Sequence, residues 1–191
     1  RHIGINDPKG ADRKQIIVFV EMDRCATDAV QSVTGCSLGR RTMKFLDYGK
    51  MAATFLNLKT NKAVRIVARE DSRQKAKDLF PASENKYAAQ LEAYKIMPDG
   101  ELFDVRDVIV KVAPQDMPGR PLARAKCDSC GEHVQDMREV YQDGRILCVP
   151  CAGGGYYELK APSPSPCPLP PGERIKVRGV FYSAVRYAKK T

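Results

Sequence analysis

The sequence has 191 residues, of which 43% are hydrophobic and 29% charged. This length accommodates one medium domain and one small domain, and the composition is typical of a globular protein. The longest apolar run, residues 16–20, has strand length and excludes a membrane-spanning helix, which needs about 20 apolar residues. The N-terminus has no apolar segment or cleavage site of a signal peptide. Because the chain opens at Arg1 rather than Met, we expect residues upstream of it.

The formal net charge of +9 is unevenly distributed. Residues 161–191 contain six Lys or Arg and one Glu, whereas residues 119–160 contain six residues of each sign. A basic tail is compatible with nucleic-acid binding, but the balanced central segment does not favour that partner. Cysteines grouped in pairs, without a secretion signal, predict a reducing, cytoplasmic compartment.

Hydrophobic patterning over the first 112 residues predicts, in order, a strand, a helix, three strands, two helices and a strand. This order is typical of an α+β domain with a mixed or antiparallel sheet. Asp23 is the expected N-cap of the first helix, and Gly35 is the residue that ends it. The Pro98-Asp99-Gly100 turn is expected to end the last helix. The predicted strands are 15–21, 42–47, 51–59, 63–68 and 102–112, and the predicted helices are 24–34, 72–79 and 84–96.

Proline and glycine residues between 114 and 121 mark a linker, so we predict three segments. They are an α+β core domain (1–118), a small zinc-finger domain (119–160) and a Pro-rich basic tail (161–191). The sequence APSPSPCPLPPG at 161–172 should be extended and poorly packed. Residues 173–191 regain some alternation, which predicts either a last strand or a disordered basic tail.

Two CxxC pairs are separated by 17 residues, and they consist of Cys127 with Cys130 and Cys148 with Cys151. Each pair forms a tight knuckle, and two knuckles provide the tetrahedral four-sulfur site that zinc prefers in zinc ribbons and treble clefs. Redox-active pairs are disfavoured because the segment lacks a βαβ context. A four-sulfur site leaves no position for substrate, so we predict one structural Zn²⁺ per chain.

The segment between the cysteine pairs is predicted to form a hairpin, with Val134–Tyr141 as a strand and residues 142–145 as its turn. His133 is expected to lie on the surface or beside the metal rather than bind it. Tyr156 and Tyr157 either stack on nucleic-acid bases or pack the finger against the core, and we favour packing.

Two further cysteines, Cys25 and Cys36, flank the first predicted helix. The helix N-terminus lowers the pKa of a thiol such as Cys25, and Cys36 lies in a glycine-bracketed loop. Eleven residues of helix separate two positions by about 16 Å, so they should not share a metal unless the loop folds back. The alternative is that both are small buried apolar residues, which is common for free cysteines.

Residues 23–39 contain the pattern D-R-C-x-x-D-A-[IV]-Q-x-x-[TS]-G-C-[TS]-x-G, and D-Y-G-K-x-A follows at 47–52. These motifs strongly resemble the FmdE family, named after a component of formylmethanofuran dehydrogenase, and the resemblance covers about 15–158. It implies an α+β core that forms a homodimer, a metal or active site around the cysteine motif, and a C-terminal zinc finger. The family's upstream H-G-H-x-C-P-G segment is absent from this sequence.

The resemblance implies an accessory, zinc-containing subunit or partner of a molybdenum or tungsten formylmethanofuran dehydrogenase or a related one-carbon enzyme. Molybdopterin-enzyme subunits would be its partners. Cys25 and Cys36 would then be candidates for a second metal or thiol site in the core domain. Asp23, Asp28 and Asp47 would give that site polar support, although helix capping and solvated turns explain these carboxylates equally well.

Two other classes of function remain open. The first is a zinc-ribbon adaptor that binds nucleic acid or protein through the finger and the basic tail. The second is an independent metal-dependent enzyme, which ranks last because the chain has only two histidines and no hydrolase, kinase or dinucleotide motif.

Overall fold

A five-stranded sheet forms the centre of the N-terminal domain. The computed structural model describes residues 2–81 and 85–157 and the backbone of 176–177 and 180–181. The strands of the sheet are Ile16–Val20 (β1), Met43–Phe45 (β2), Ala52–Asn57 (β3), Ala63–Ala68 (β4) and Phe103–Val108 (β5). Their spatial order is β2-β1-β3-β4-β5, with β1 and β2 parallel and all other neighbours antiparallel. The predicted α+β class with a mixed sheet is confirmed.

The helix Cys25–Thr34 (α1) connects the two parallel strands. Gly35 ends it in the left-handed conformation, with φ of 69°, and donates its N–H to the carbonyl of Gln31 at 2.8 Å. A glycine is favoured at this position because other residues incur a steric cost there. The prediction that Gly35 ends the helix is confirmed.

The predicted N-cap of α1 is wrong. The helix is capped by Arg24 rather than Asp23, and no side chain accepts a capping hydrogen bond. The hydroxyl of Thr27 instead donates to the carbonyl of Met22 at 2.5 Å and holds the chain as it enters the helix. This bond fixes the chain at the entry to the helix, but it does not supply the acceptor that an N-cap side chain would offer to the first N–H groups.

The main hydrophobic core lies on one face of the sheet. Ile16, Val18 and Val20 alternate along β1 toward this face, and α1 contributes Val30. The N-terminal residues complete this core through Ile3 and Ile5, which are both buried. The amide of Asn57, itself buried, donates to the carbonyl of Ile3 at 3.0 Å and fixes this segment.

Two helices between β4 and β5, Ser72–Leu79 (α2) and Lys86–Ile96 (α3), form a hairpin that buries Ala76 and Ala93 where they meet. The Pro98-Asp99-Gly100 sequence was expected only to end α3. The helix α3 does end just before this sequence, with Met97 as its C-cap, and the same residues also begin the short helix Asp99–Leu102 (α4), for which Pro98 is the N-cap. Proline suits this position because its fixed φ is compatible with the residue before a helix.

The C-terminal domain contains two small hairpins, formed by Arg124–Lys126 (β6) with His133–Gln135 (β7) and by Val140–Gln142 (β8) with Arg145–Leu147 (β9). The predicted single strand Val134–Tyr141 is wrong, because Asp136 and Met137 adopt positive φ angles of 60° and 57° and interrupt it. The predicted turn at 142–145 is confirmed, with positive φ at both of its central residues.

Beyond residue 157 the description covers only two short antiparallel strands, Lys176–Val177 (β10) and Val180–Phe181 (β11). The predicted Pro-rich segment 161–172, Cys167 and the rest of the predicted tail lie outside the described residues. Across the described ranges, no helix combines the length and apolar character needed to cross a membrane.

Candidate metal centre and apolar cleft

The four paired cysteines converge on one point in the C-terminal domain. The sulfur atoms of Cys127, Cys130, Cys148 and Cys151 all lie within 4.8 Å of one another, and all four thiols are free. The Sγ atoms of Cys130 and Cys148 are 3.8 Å apart. Tetrahedral zinc with Zn–S bonds of about 2.3 Å separates its sulfur ligands by about 3.8 Å. The donor set therefore fits zinc in both chemistry and spacing.

Backbone hydrogen bonds shape the first knuckle. The N–H of Cys127 donates to the carbonyl of Glu132 at 2.8 Å, and the N–H of Gly131 donates to the carbonyl of Cys127 at 2.9 Å. Gly131 has a φ of 77°, a conformation that glycine adopts without steric cost. Both cysteines of the first pair lie in this turn, between β6 and β7, and their sulfurs belong to the four-cysteine cluster.

The second knuckle follows β9 and continues into a helical turn at Pro150–Gly154. The N–H of Asp128 donates to the carbonyl of Ile146 at 2.8 Å, and the Asp128 carboxylate accepts the N–H of Ile146 at 2.7 Å. These reciprocal bonds join the two knuckles. No sequence pattern indicated Asp128, because its role depends on the pairing of two distant loops.

The pKa values of two thiols in the cluster, Cys127 and Cys148, are shifted in opposite directions. The backbone N–H groups of Cys130 and Cys148 lower the pKa of the Cys127 thiol to about 6. The N–H of Cys151 favours the thiolate of Cys148, but burial and the thiols of Cys151 and Cys127 outweigh it and raise the pKa of Cys148. The Cys127 thiol therefore ionises before the Cys148 thiol. A bound dication would stabilise the remaining thiolates, so metal binding releases protons.

The hydrophobic core around the cysteines is small, with Cys127, Leu147 and Cys148 buried. A domain with so little apolar burial needs disulfide bonds or a bound metal ion to remain folded. The zinc would therefore be structural. His133 lies at the start of β7, is exposed, and is not a member of the ligand group.

The two tyrosines after the metal centre differ from expectation. Tyr156 is 97% exposed, so the prediction that it packs against the core is wrong. Tyr157 is 45% exposed and meets Tyr156 edge-to-face at 5.1 Å. Burial, the Glu132 carboxylate and the cysteines of the metal centre raise the pKa of Tyr157.

The core cysteines lie at opposite ends of α1. Cys25 is the first residue of the helix and is exposed, whereas Cys36 follows Gly35 and is only 2% exposed. A ten-residue helix spans about 15 Å. Within the described part of the chain, the four-cysteine group is the only cluster of three or more His, Cys, Asp or Glu residues arranged to hold a metal.

The two halves of the FmdE-like motif meet at one edge of the sheet. Because β1 and β2 are parallel, α1 begins at the same edge at which the 47–50 loop leaves β2. The N–H of Lys50 donates to the carbonyl of Glu21 at 3.1 Å and fixes this loop beside the start of α1. The start of α1, with Cys25, and the 47–50 loop, with Tyr48, therefore form one region of the surface. We call this region the motif edge. Tyr48 is 61% exposed there.

A partly buried ion pair lies beside the motif edge, with Glu21 buried and the Arg65 side chain 26% exposed. The Glu21 carboxylate accepts two hydrogen bonds from the guanidinium of Arg65, at 2.7 and 2.6 Å. The same guanidinium lowers the pKa of Glu21 and outweighs the opposing effect of burial. Neither residue belongs to a recognisable sequence motif, so the pair was not predicted.

An apolar cleft of about 560 Å³ lies between α1 and the sheet. The sheet contributes Phe55, Ile66 and Val105 to its walls, and α1 contributes Ala29 and Val33. Val33 is 68% exposed and Val105 is 51% exposed, so this face has large apolar side chains open to solvent. Contiguous exposed apolar surface of this kind is typical of binding sites.

Comparison with known proteins relates both domains to known families. Residues 1–104 match the model of FmdE, described as "Molybdenum formylmethanofuran dehydrogenase operon". Residues 120–157 match the prokaryotic dksA/traR C4-type zinc finger. The second match covers all four clustered cysteines.

Two relatives extend this comparison. A "Probable S-adenosyl-L-methionine-binding protein" of Archaeoglobus fulgidus is 29% identical over 160 residues, 75% of this chain, but the chain spans only 42% of that protein. The crystal structure of a tungsten formylmethanofuran dehydrogenase FmdE-like protein from Syntrophus aciditrophicus has a TM-score of 0.52 at 21% identity. That match covers 79% of this chain and 77% of the other, and it shows a shared fold. With the FmdE model matching more than half of its length and a C4 zinc finger following it, the chain belongs to the FmdE family.

Proposed function

We propose that this chain is a zinc-stabilised accessory subunit or partner of a molybdenum or tungsten formylmethanofuran dehydrogenase-like enzyme. The observation that carries the proposal is the match of residues 1–104 to the FmdE model, whose description names the molybdenum formylmethanofuran dehydrogenase operon. The family assignment and the closed four-sulfur centre support a role in assembly.

The zinc finger would be the structural part of this protein. Its knuckle, hairpin and helical turn follow one another in the order of a treble clef, which supports that assignment over a zinc ribbon. All four sulfurs would bind Zn²⁺, leaving no open position for substrate. The metal would hold the finger in the shape that a partner recognises.

A second copy of the chain is the proposed occupant of the apolar cleft. A two-fold dimer uses the same patch on both copies, so one apolar face is sufficient to build it. Val105→Glu would place a charge in the cleft and should convert the dimer to monomer in sedimentation equilibrium. Ile109→Glu is the matched control, because Ile109 is 88% exposed and does not line the cleft. A monomeric parent protein would refute the dimer.

The second metal or thiol site belongs to the same proposal. Cys25 is its accessible member, whereas Cys36 is buried at the far end of α1. A metal at Cys25 would therefore need donors from a second copy or from outside the described residues. Elemental analysis of the parent and Cys25→Ser proteins tests this site, since a second metal should disappear in the variant.

Association with the enzyme can be tested by co-expression with the catalytic subunits of a molybdenum or tungsten formylmethanofuran dehydrogenase. We expect a stoichiometric complex in size-exclusion chromatography. Lys50→Glu, at the motif edge, should weaken the complex, and Lys62→Glu, in the exposed β3–β4 turn, should not. Absence of any complex with the parent chain would contradict the accessory role.

A zinc-ribbon adaptor is the alternative function, and exposed aromatic residues on the finger favour it. Tyr141 is 73% exposed and Tyr156 is 97% exposed, so both rings are available to stack on bases or to bind a protein. Affinity for single-stranded RNA or DNA that falls steeply with salt would support this alternative. Salt-independent or undetectable binding would exclude nucleic acid as its partner.

A further inference from the structure

The strand β5 forms one edge of the central sheet. It pairs with β4 on one side, and among the described residues no strand pairs with its other side. Four of its six residues are exposed and the other two are half-buried. An open edge of this length is a template on which another strand can pair.

The backbone groups that face outward from β5 follow from its pairing with β4. The N–H of Arg69 donates to the carbonyl of Leu102 at 2.9 Å, in line with the β4–β5 register. Because hydrogen-bonded pairs alternate in an antiparallel ladder, every second residue from Leu102 onward bonds to β4. Phe103, Val105 and Asp107 lie between these residues, so their backbone groups point toward the open edge.

The charges of β5 lack full compensation within the chain. Arg106 lies across the ladder from Arg65, whose guanidinium is already bound to Glu21. Among the described residues, Arg106 forms no ion pair. The Asp104 side chain is 47% exposed, and its ion pair with Arg69 uses only the Oδ1 atom. The edge strand therefore has an unpaired cation and an accessible carboxylate two residues apart.

This charge pattern is complementary to a second copy of the same strand. If two β5 strands pair antiparallel with Val105 on a two-fold axis, Asp104 of each copy lies opposite the partner's Arg106. These positions are not hydrogen-bonded to each other, so their side chains come closest, and opposite charges there stabilise the sheet. The two neighbouring symmetric registers place Asp104 or Arg106 opposite itself, which is destabilising.

The same register also satisfies the outward-facing backbone. The two Val105 residues would exchange N–H···O=C bonds, and each Asp107 N–H would donate to the carbonyl of the partner's Phe103. The N–H of Phe103 needs no partner, because it donates to the carbonyl of Asp99 at the end of α4. Phe103 and Val105 also line the apolar cleft, so the edge is continuous with the surface assigned above to a second copy.

We infer that β5 pairs with β5 of a second copy, antiparallel and with Val105 on the two-fold axis. The five strands of each copy then belong to one continuous sheet. The inference rests on the dimer proposed above and adds its contact and register.

Charge reversal in the zinc-loaded full chain tests the register by sedimentation equilibrium at low salt. Asp104→Arg alone and Arg106→Asp alone each oppose two pairs of like charges, and each should weaken the dimer at least tenfold. The double variant should dimerise like the parent protein. An equimolar mixture of the two single variants should form a mixed dimer, because both contacts then pair opposite charges. Lys111→Asp is the matched control, since Lys111 is exposed and lies beyond β5, and it should have no effect.

The outcomes separate this inference from the proposed dimer. A dimeric parent whose single variants dimerise equally well would overturn the β5 register and leave the second copy in place. Weakened single variants that neither the double variant nor the mixture restores would also overturn it. A monomeric parent would refute the dimer and the register together.

Amide hydrogen exchange gives a second readout that does not depend on substitutions. The N–H groups of Val105 and Asp107 should exchange at least tenfold more slowly above the dissociation constant of the dimer than below it. The N–H groups of Asp104 and Arg106 bond to β4 in either state and should change little. Equal exchange of Val105 and Asp107 at both concentrations would overturn the inference.

Discussion

Arg41 and Asp136, 95 residues apart in sequence, form an ion pair of 2.6 Å that joins the core domain to the zinc finger. Both residues have positive φ, of 61° and 60°, and both side chains are about one-fifth exposed. The Arg41 guanidinium also donates to the carbonyl of Gln115. The finger is therefore attached to the loop that follows the cysteine motif.

Loss of this ion pair should weaken the attachment of the finger to the core. We expect Arg41→Ala and Asp136→Asn to be coupled by about 1–2 kcal/mol in a double-mutant cycle of unfolding free energy. Arg40→Ala is the control, because Arg40 is exposed and donates only a long 3.4 Å bond to the Gly35 carbonyl. Additive effects of Arg41→Ala and Asp136→Asn would show that the pair does not join the domains.

Asp128 should control zinc affinity without binding the metal. Its carboxylate accepts the Ile146 N–H and aligns the second knuckle with the first. Residues that orient metal ligands typically change metal affinity by about 10–100-fold when they are removed. We expect Asp128→Ala to weaken zinc binding by about tenfold or more in a competition with a chromophoric chelator. Asp128→Asn retains an acceptor oxygen and should restore most of the affinity.

The partly buried Glu21–Arg65 pair predicts a defined pH dependence of stability. The folded pKa of Glu21 is lowered, so the contribution of the pair is complete above the unfolded carboxyl pKa of about 4.3 and is lost as pH falls through the folded pKa. Arg65→Met would leave the buried Glu21 carboxylate without its partner. It should lower the free energy of unfolding by about 3 kcal/mol near pH 7.

The comparison for that variant is Arg106→Met, because Arg106 pairs with Arg65 across β4 and β5 but is exposed. It should change stability little. The deficit of Arg65→Met should shrink in acid as Glu21 protonates. A deficit that is constant from pH 7 to pH 3 would contradict the role assigned to the carboxylate.

Gly35 should be the more sensitive of two neighbouring glycines. Its φ is 69°, and an added Cβ would lie 3.3 Å from the Lys9 side chain. Gly39→Ala would meet no atom within 4 Å and has no positive φ. We expect Gly35→Ala to lower the free energy of unfolding by about 1–2 kcal/mol. Urea unfolding should show a much smaller change for Gly39→Ala, and equal losses would be inconsistent with the left-handed end of α1.

Thiol reactivity should separate the two core cysteines. In zinc-loaded protein with Cys167→Ser, one thiol per chain should react rapidly with a disulfide reagent, because Cys25 is exposed and Cys36 is buried. Adding Cys25→Ser should remove the rapid phase. A rapid phase that survives this substitution would show that Cys36 is accessible.

Local patterns predicted some elements to the residue, whereas features that depend on distant partners were missed. Residues 63–68 and 72–79 match β4 and α2, because alternation and helix signals there are purely local. The four cysteines come together as their spacing indicated, because each pair is a short local knuckle. The Asp23 cap failed because capping depends on the backbone angles of the preceding turn. Periodicity identifies apolar strand faces but not which of them remain open, so the cleft was not foreseen.

The central claim is that four cysteines hold one structural zinc ion. The most direct test of this claim is the zinc content per chain. Elemental analysis should find one zinc in the full chain that is lost in Cys127→Ser/Cys130→Ser. The Cys25→Ser/Cys36→Ala variant should keep that zinc. Absence of zinc from the parent protein, or its retention after two of the four paired cysteines are replaced, would contradict the account.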